Sequence, residues 1–519
     1  MSALFQDYLN GILLVVVTSL LVTWAYVRYS YGYWKRRNVP YLEPKFPFGN
    51  SNSLIPKGIA IGILSKEFYN RFKTMGRDMV GGVYIGIEPK LVVLNPDLIR
   101  DILVKDFQSF TDRGVYQSES DPISVNIFAQ PGAEWRAART KLTTVFTSAK
   151  MKAMCLLMLE CSEGLKEALE KFAQQKTDVD MLEVAGCFTT DVIGVYVCFS
   201  LTKPLTKQFV GSCAFGISCN SFKHPDAEFR RMGCKLFTEF SFMDRLNLFL
   251  SIYAPNFSQK IGVRSVQKDV SKFFFRTIKD TVDYREKNNV QRNDLLQLLI
   301  DMKNSEVQLS MNELTAQVFL FFVAGSETSS TTTTLALFEI SQRPEIQEKL
   351  RKEIRDVLSK HNGQITYDSI AEMKYLAQAV DETLRLWPIV STITRVCTQD
   401  YKFKNTDVTA EKGLHVQIPV LGLQHDPEYW PDPTRFDPDR FSDENKESRR
   451  PFTYLPFGEG PRNCIGLRFG LLQTKIGLVT VLSKYKVSLS PKTVLPIGLD
   501  PETFTMRTLS TVYLNLEKA

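Results

Sequence analysis

The sequence predicts a mainly α fold with small β-sheets, preceded by an N-terminal transmembrane helix. Three observations predict it: an uncharged apolar run near the start, a succession of long helical patterns with defined ends, and strand patterns that are short and scattered.

The run comes first. From Tyr8 to Val27 no residue is charged, and Gly11–Val27 within it is densely apolar. As a helix such a run spans about 30 Å, the hydrocarbon thickness of a bilayer. Asp7 precedes it, while Arg28, Lys35, Arg36 and Arg37 follow it, the reverse of a cleaved signal's flanks. Trp24, Tyr26, Tyr29, Tyr31, Tyr33 and Trp34 read as an interfacial aromatic belt, and the basic flank keeps the rest of the chain on the cytosolic side. Residues 1–34 are therefore expected to form a membrane anchor, spanning at about 8–27. Residues 35–50, with Pro40, Pro44 and Pro47, form a basic, proline-rich hinge. No linker, repeat or low-complexity tract divides 51–519, which reads as one large domain.

Within that domain, Val83–Asn95 predicts a hairpin turning at Glu88-Pro89-Lys90, and Glu134–Phe172 predicts helix. Ser310-x-x-Glu313 is a capping box that opens a long helix ended by Arg343-Pro344. Glu345–Lys360 reads as a charged surface helix, Ile370–Leu386 as another that stops before Pro388, and Leu467–Tyr485 as an apolar one. Further strand patterns lie near Arg395–Phe403 and Thr511–Leu516.

Composition excludes several functions. A net charge of +7 over 519 residues, with both signs interspersed, lacks the clustered basic stripe of a nucleic-acid binder. Nine cysteines without a C-x-x-C pair fit neither a disulfide scaffold nor a structural zinc site, and most read as small buried hydrophobes. His224, His361, His415 and His425 lack zinc-ligand spacing, and His361 and His425 sit in polar surroundings that predict exposure. Neither a dinucleotide fingerprint nor a Walker loop is evident in the sequence.

The informative stretch is Phe457-Gly458-Glu459-Gly460-Pro461-Arg462-Asn463-Cys464-Ile465-Gly466. Two glycines and a proline predict a tight loop whose amides can turn towards one point, and the loop runs straight into the helix beginning near Leu467. A thiol at the positive end of a helix is expected to have a lowered pKa and to act as nucleophile or metal ligand. Phe457 can shield such a sulfur from water. These residues resemble the haem-binding loop of the cytochrome P-450 superfamily, and the resemblance extends over essentially the whole chain. It implies the cytochrome P-450 fold, haem b as cofactor, and Cys464 as the axial ligand of the haem iron.

Other residues take their expected roles beside that resemblance. Ala324-Gly325-Ser326-Glu327-Thr328 lies mid-helix, where Gly325 and the hydroxyl run Ser329–Thr334 weaken the backbone ladder. An acid next to an alcohol suits proton delivery to bound dioxygen, with Thr328 holding a water and Glu327 resupplying the proton. Trp135 and Arg139, at i and i+4, can point at one group and are expected to meet a haem propionate. The resemblance adds Arg395 and Arg462, and less directly Arg113. It also implies that Glu382 and Arg385, the family's E-x-x-R, form a buried structural network with Arg440. Asp439 departs from the Glu usual in that position of the family.

One segment departs further. Thr189–Gly194 and Ser212–Gly216 resemble adjacent pieces of a single helix in the family, yet Val195–Gly211 lies between them, with Pro204 to break a helix. It reads as an insertion, either a retained short intron or a genuine surface loop, which transcript sequencing distinguishes.

The closest resemblance is to the insect microsomal sixth family. It implies a monooxygenase of the endoplasmic reticulum membrane, its catalytic domain (51–519) on the cytosolic face. The implied reaction is hydroxylation or epoxidation of small lipophilic compounds with NADPH-derived electrons from NADPH-cytochrome reductase, cytochrome b5 being a further partner to test. Detoxification is the role that branch suggests. The regions expected to face substrate are Arg113–Gln130, Phe319–Thr328, Ile389–Arg395 and the stretch around Pro501–Met506. A haem-thiolate isomerase, a peroxygenase and a non-enzymatic haem sensor are the rivals. Glu327-Thr328 counts against the first, dependence on NADPH separates the second, and ligand-gated partner binding without substrate loss would mark the third.

Overall fold

The computed structural model describes residues 2–51, 60–118, 120–197, 221–223, 228–253, 255–291, 294–304, 309–501 and 503–518. Long helices dominate it. Ser2–Tyr31 is one helix, of which Asn10–Tyr31 is long and apolar enough to cross a membrane. The aromatic belt predicted behind it is only partly that. Trp34 is fully buried, donating its indole N–H to Val83 O and packing with Tyr31 and Tyr33 on a sheet core. The hinge is not free-standing either: Leu42 N donates to Gly82 O, and Gly82 N to Pro40 O.

That core belongs to a four-stranded sheet of β1 (Val80–Ile85), β2 (Glu88–Val93), β4 (Ile393–Val396) and β5 (His415–Ile418), in the order β1-β2-β5-β4. A second sheet has the order β3-β7-β6, from Val179–Asp180, Tyr513–Lys518 and Tyr485–Leu489. The hairpin turns at Gly86-Ile87, because Glu88, Pro89 and Lys90 already pair with β1. Gly86 supplies the positive φ, +61°, that such a turn requires.

The helical layer carries the larger core. The predicted stretch Glu134–Phe172 is two helices, Gly132–Thr143 and Ser148–Gln175, bent by 61° around a single 3-10 turn. Ile370–Leu386 is likewise broken at Met373, into Tyr367–Glu372 and Lys374–Leu386. The central helix Met311–Ser341 opens on the predicted capping box: Glu313 N donates to Ser310 Oγ, and Ser310 N returns to Glu313 Oε2 at 2.8 Å. Twenty-two of its residues are buried, which explains its apolar and hydroxylic composition on all sides. Leu467–Leu482 packs beside it and ends before Tyr485 begins β6. The helix Met181–Val197 crosses the central helix closely, and a Cβ on Gly325 would come within 2.7 Å of Ile193 Cδ1. It therefore runs past Gly194, and positions 198–211 of the predicted insertion lie outside the described residues.

His425 is not exposed as its charged neighbours suggested. Its Nε2–H donates to Leu386 O at 2.9 Å, and Nδ1 accepts from Lys66 at 2.7 Å. Burial, then the Lys66 charge, holds its pKa down at about 3, against an ordinary 6.5. Between those values the unfolded chain binds a proton that the folded chain refuses, so stability is lost as pH falls from 6.5 towards 3. His425→Gln is expected to shrink the drop in urea midpoint between neutral and mildly acidic buffer; an unchanged drop would show that this ring does not contribute.

Candidate active site

The cysteine loop is built as its composition predicted. Gly458 and Gly460 take φ of +68° and +74°, and Cys464 N donates to Phe457 O at 2.8 Å. Gly460 is required twice over, since a Cβ there would meet Leu103 O at 1.9 Å. Gly466 caps the helix Leu467–Leu482 two residues beyond the sulfur.

Cys464 is exposed to an apolar cavity of about 280 Å³. Among the described cysteines it alone lines that cavity. Burial pushes its thiol pKa up, against the pull of the Gly466 amide, Arg139 and Arg113. The expected lowering is thus overturned: removal from water outweighs the helix end and two guanidiniums. Phe457 lines the cavity as well, and so do Trp135, Thr328, Ile389 and Phe504.

Four guanidiniums converge on this cavity, and no carboxylate is among its described lining residues. Arg395 and Arg462 are each 2% exposed. Arg395 uses Nη1 on Thr394 O, leaving a buried Nε without a partner. Arg462 lies over the Trp135 ring, with its carbon 4.3 Å from the centroid. It uses Nη2 on Gln130 O, leaving Nε and Nη1 without partners. Burial and the neighbouring charges push Arg395 well down and Arg462 down to about 9. Buried, mutually repelling cations with idle donors are the chemistry of a site for a dianionic group. The two carboxylates of haem b fit it.

Arg139 and Arg113 line the cavity and have a further set of partners. Arg139 donates to Asn463 O and Asn463 Oδ1 at 2.8 and 2.7 Å. Arg113 donates to Phe128 O at 3.2 Å and Arg462 O at 2.8 Å. Both fasten the cysteine loop through these donors. Asn463, Gln130 and Leu103 were missed in the sequence, where a loop asparagine or a distant carbonyl carries no signal.

The acid and the alcohol do not share a cavity. Thr328 lines the apolar one, with Oγ1 donating to Ala324 O at 2.7 Å. Glu327, one residue earlier, lies about 100° around the helix. It lines a separate polar cavity, where Arg507 Nη1 stands 3.5 Å from Oε1. Burial raises its carboxyl pKa, opposed by Arg507. The hydroxyls of Ser330, Thr332, Thr333 and Thr334 bond backwards to carbonyls as predicted, yet the helix stays unbroken.

Away from the cavity, Glu382 and Arg385 form a fully buried bidentate pair at 2.7 and 2.9 Å, and Arg440 Nε lies 3.5 Å from Glu382. Asp439 points elsewhere, to Lys349 on the surface.

Sequence comparison places this geometry. The family model described as Cytochrome P450 matches residues 54–514. The chain is 36% identical to "Probable cytochrome P450 6a14" of Drosophila melanogaster, covering 99% of this chain and 100% of the relative. It is 38% identical to "Probable cytochrome P450 6a20" of the same fly, covering 98% and 99%. With "Cytochrome P450 6A1" of Musca domestica the identity is 39%, over 95% of each. With a family model over most of its length and relatives of this identity and coverage, the chain belongs to the cytochrome P450 family.

Proposed function

We propose that Cys464 is the axial ligand of the haem iron, that Arg395 and Arg462 hold the propionates, and that Trp135 supports Arg462 from beneath. Membership of the family makes the chain a haem-thiolate monooxygenase that acts on lipophilic substrates with NADPH-derived electrons from a reductase partner. The observation that carries the site assignment is the convergence of one sulfur and two donor-rich buried arginines on a cavity without carboxylates. When bound, the thiolate-ligated iron activates dioxygen, and electron donation from sulfur favours O–O cleavage.

The chain's own residues then do three things. The Phe457–Gly466 loop fixes the sulfur, bolted by Arg113 and Arg139. Phe128, Phe321, Ile389 and Phe504 present apolar surface to a lipophilic substrate. Thr328 holds a proton-bearing water at its Oγ, and Glu327 resupplies the proton after turning from the polar side of the helix. Thr328→Ala is expected to retain haem while diverting several-fold more NADPH into hydrogen peroxide. Equal product per NADPH in variant and wild type would remove the relay.

The reading extends to the whole molecule. Residues 1–34 anchor the chain in the endoplasmic reticulum membrane, 35–50 join the anchor to the catalytic domain 51–519, and the domain faces the cytosol. The four cations at positions 28–37 support that orientation. Cytochrome b5 is a second electron donor to test, and detoxification is the physiological role. A reduced carbon-monoxide difference spectrum tests the centre of the proposal: the long-wavelength Soret band of a thiolate-ligated haem is expected, and intact haem-loaded protein without it would overturn the Cys464 assignment.

A further inference from the structure

The central helix Met311–Ser341 separates two cavities of opposite chemistry. The apolar one holds Thr328 and Cys464. The polar one, of about 350 Å³ on the same measure, holds Glu327 and Arg507, and its other ionisable walls are Asp180, Glu183, Arg230, Cys234 and Asp500. A single loop reaches both. Leu499 and Thr508 pair at its base. At its tip Phe504 lines the apolar cavity, its ring meeting that of Phe128 edge-on at 6.3 Å. Three residues later Arg507 reaches Glu327 in the polar cavity.

The loop is short and internally bonded: Asp500 N donates to Arg507 O at 2.9 Å, and Arg507 N to Thr505 O at 2.8 Å. It is also tied to the apolar cavity, where Met506 N donates to the carbonyl of the lining residue Ile389 at 3.0 Å. Phe504 and Arg507 thus stand three residues apart on one internally bonded loop. The contact between Arg507 and Glu327 is weak, because 3.5 Å is the outer limit of a hydrogen bond and a few tenths of an ångström break it.

We propose that Arg507 is the positioning residue for Glu327, holding its carboxyl group in the polar cavity, and that a ligand packed against Phe504 loosens this hold. The inference rests on the relay reading of Glu327 and Thr328. Once loosened, the Glu327 carboxyl gives its O–H proton towards Thr328 and regains one from water in the polar cavity, ending each cycle as it began. Arg507 keeps its charge throughout. Substrate occupancy and proton supply are thereby joined through three residues of one loop.

The test uses holoprotein with its reductase and phenanthrene as a lipophilic probe. Product per NADPH is followed against pH in wild type, Arg507→Lys, Arg507→Gln and Glu327→Gln. The infrared C=O band of Glu327, identified by its loss in Glu327→Gln, is followed with and without phenanthrene. Without the neighbouring cation the carboxyl keeps its proton to higher pH, so the Arg507→Gln profile is expected to move up by about one pH unit or more. Arg507→Lys is expected to stay near wild type. Phenanthrene is expected to shift the Glu327 band in wild type and not in Arg507→Gln.

An Arg507→Gln profile that coincides with wild type overturns the inference, and so does a wild-type band indifferent to saturating phenanthrene. Uncoupled turnover in Glu327→Gln alongside either result leaves the relay standing by itself. Glu327→Gln that couples as wild type removes relay and inference together. Should Arg507→Gln fail to retain haem, Phe504→Ala decides, since it leaves the ion pair's own atoms in place. Its Glu327 band is expected to ignore phenanthrene, and a band that still responds overturns the proposal.

Discussion

Cys464→Ala is expected to abolish the long-wavelength Soret band of the reduced carbon-monoxide complex and to lower NADPH-dependent product formation to background. The expectation rests on the absence of a substitute among the described cysteines. Cys155, Cys161, Cys187, Cys234 and Cys397 do not line the cavity that Cys464 faces. A methyl group at position 464 leaves the loop's backbone hydrogen bonds in place, so the loss is of the ligand and not of the loop. Cys464→His sharpens the test: it offers nitrogen to the same iron and is expected to move the band to shorter wavelength while product formation stays lost. Survival of the long-wavelength band in Cys464→Ala would place the ligand elsewhere.

Arg385→Leu is the second large effect, and it acts on folding. Arg385 and Glu382 are both fully buried. Beyond Glu382 the guanidinium serves the carbonyls of Gln424, Pro433 and Arg435. Leucine would leave the Glu382 carboxylate with Arg440 at 3.5 Å and the Asp437 amide, and would strip a donor from three carbonyls. Removing one partner of a buried pair costs about 3–5 kcal/mol, much of the total stability of an ordinary domain. Soluble, haem-loaded protein should therefore fall to a small fraction of wild type, read as Soret absorbance per unit of expressed chain. Arg385→Lys keeps the charge without the fork and is expected to rescue only part of it. Wild-type yield and urea midpoint in Arg385→Leu would show the network to be dispensable.

Features encoded within ten or twenty contiguous residues were legible before any fold was known. The Phe457–Gly466 spacing made the loop and its sulfur visible, Ser310 and Glu313 marked where the central helix starts, and the run from Tyr8 marked a helix of membrane-crossing length. Local hydrogen bonding, backbone sterics and helix rise act over such distances, so their signals survive in one dimension.

What those residues face was settled only by the folded chain. Trp34 looked interfacial and is buried beneath a sheet formed fifty residues later. Arg113 and Arg139 line the cavity, and only the fold shows that they also bond to oxygens of the cysteine loop. The Cys464 thiol pKa was expected to be lowered by its helix end, and burial instead raises it. Glu327 and Thr328 are adjacent in sequence yet look into different cavities, because one step along a helix turns a side chain about 100° and the neighbouring chain decides what waits there. Burial and the identity of a distant partner arise only when remote segments meet, and neither leaves a mark in local spacing.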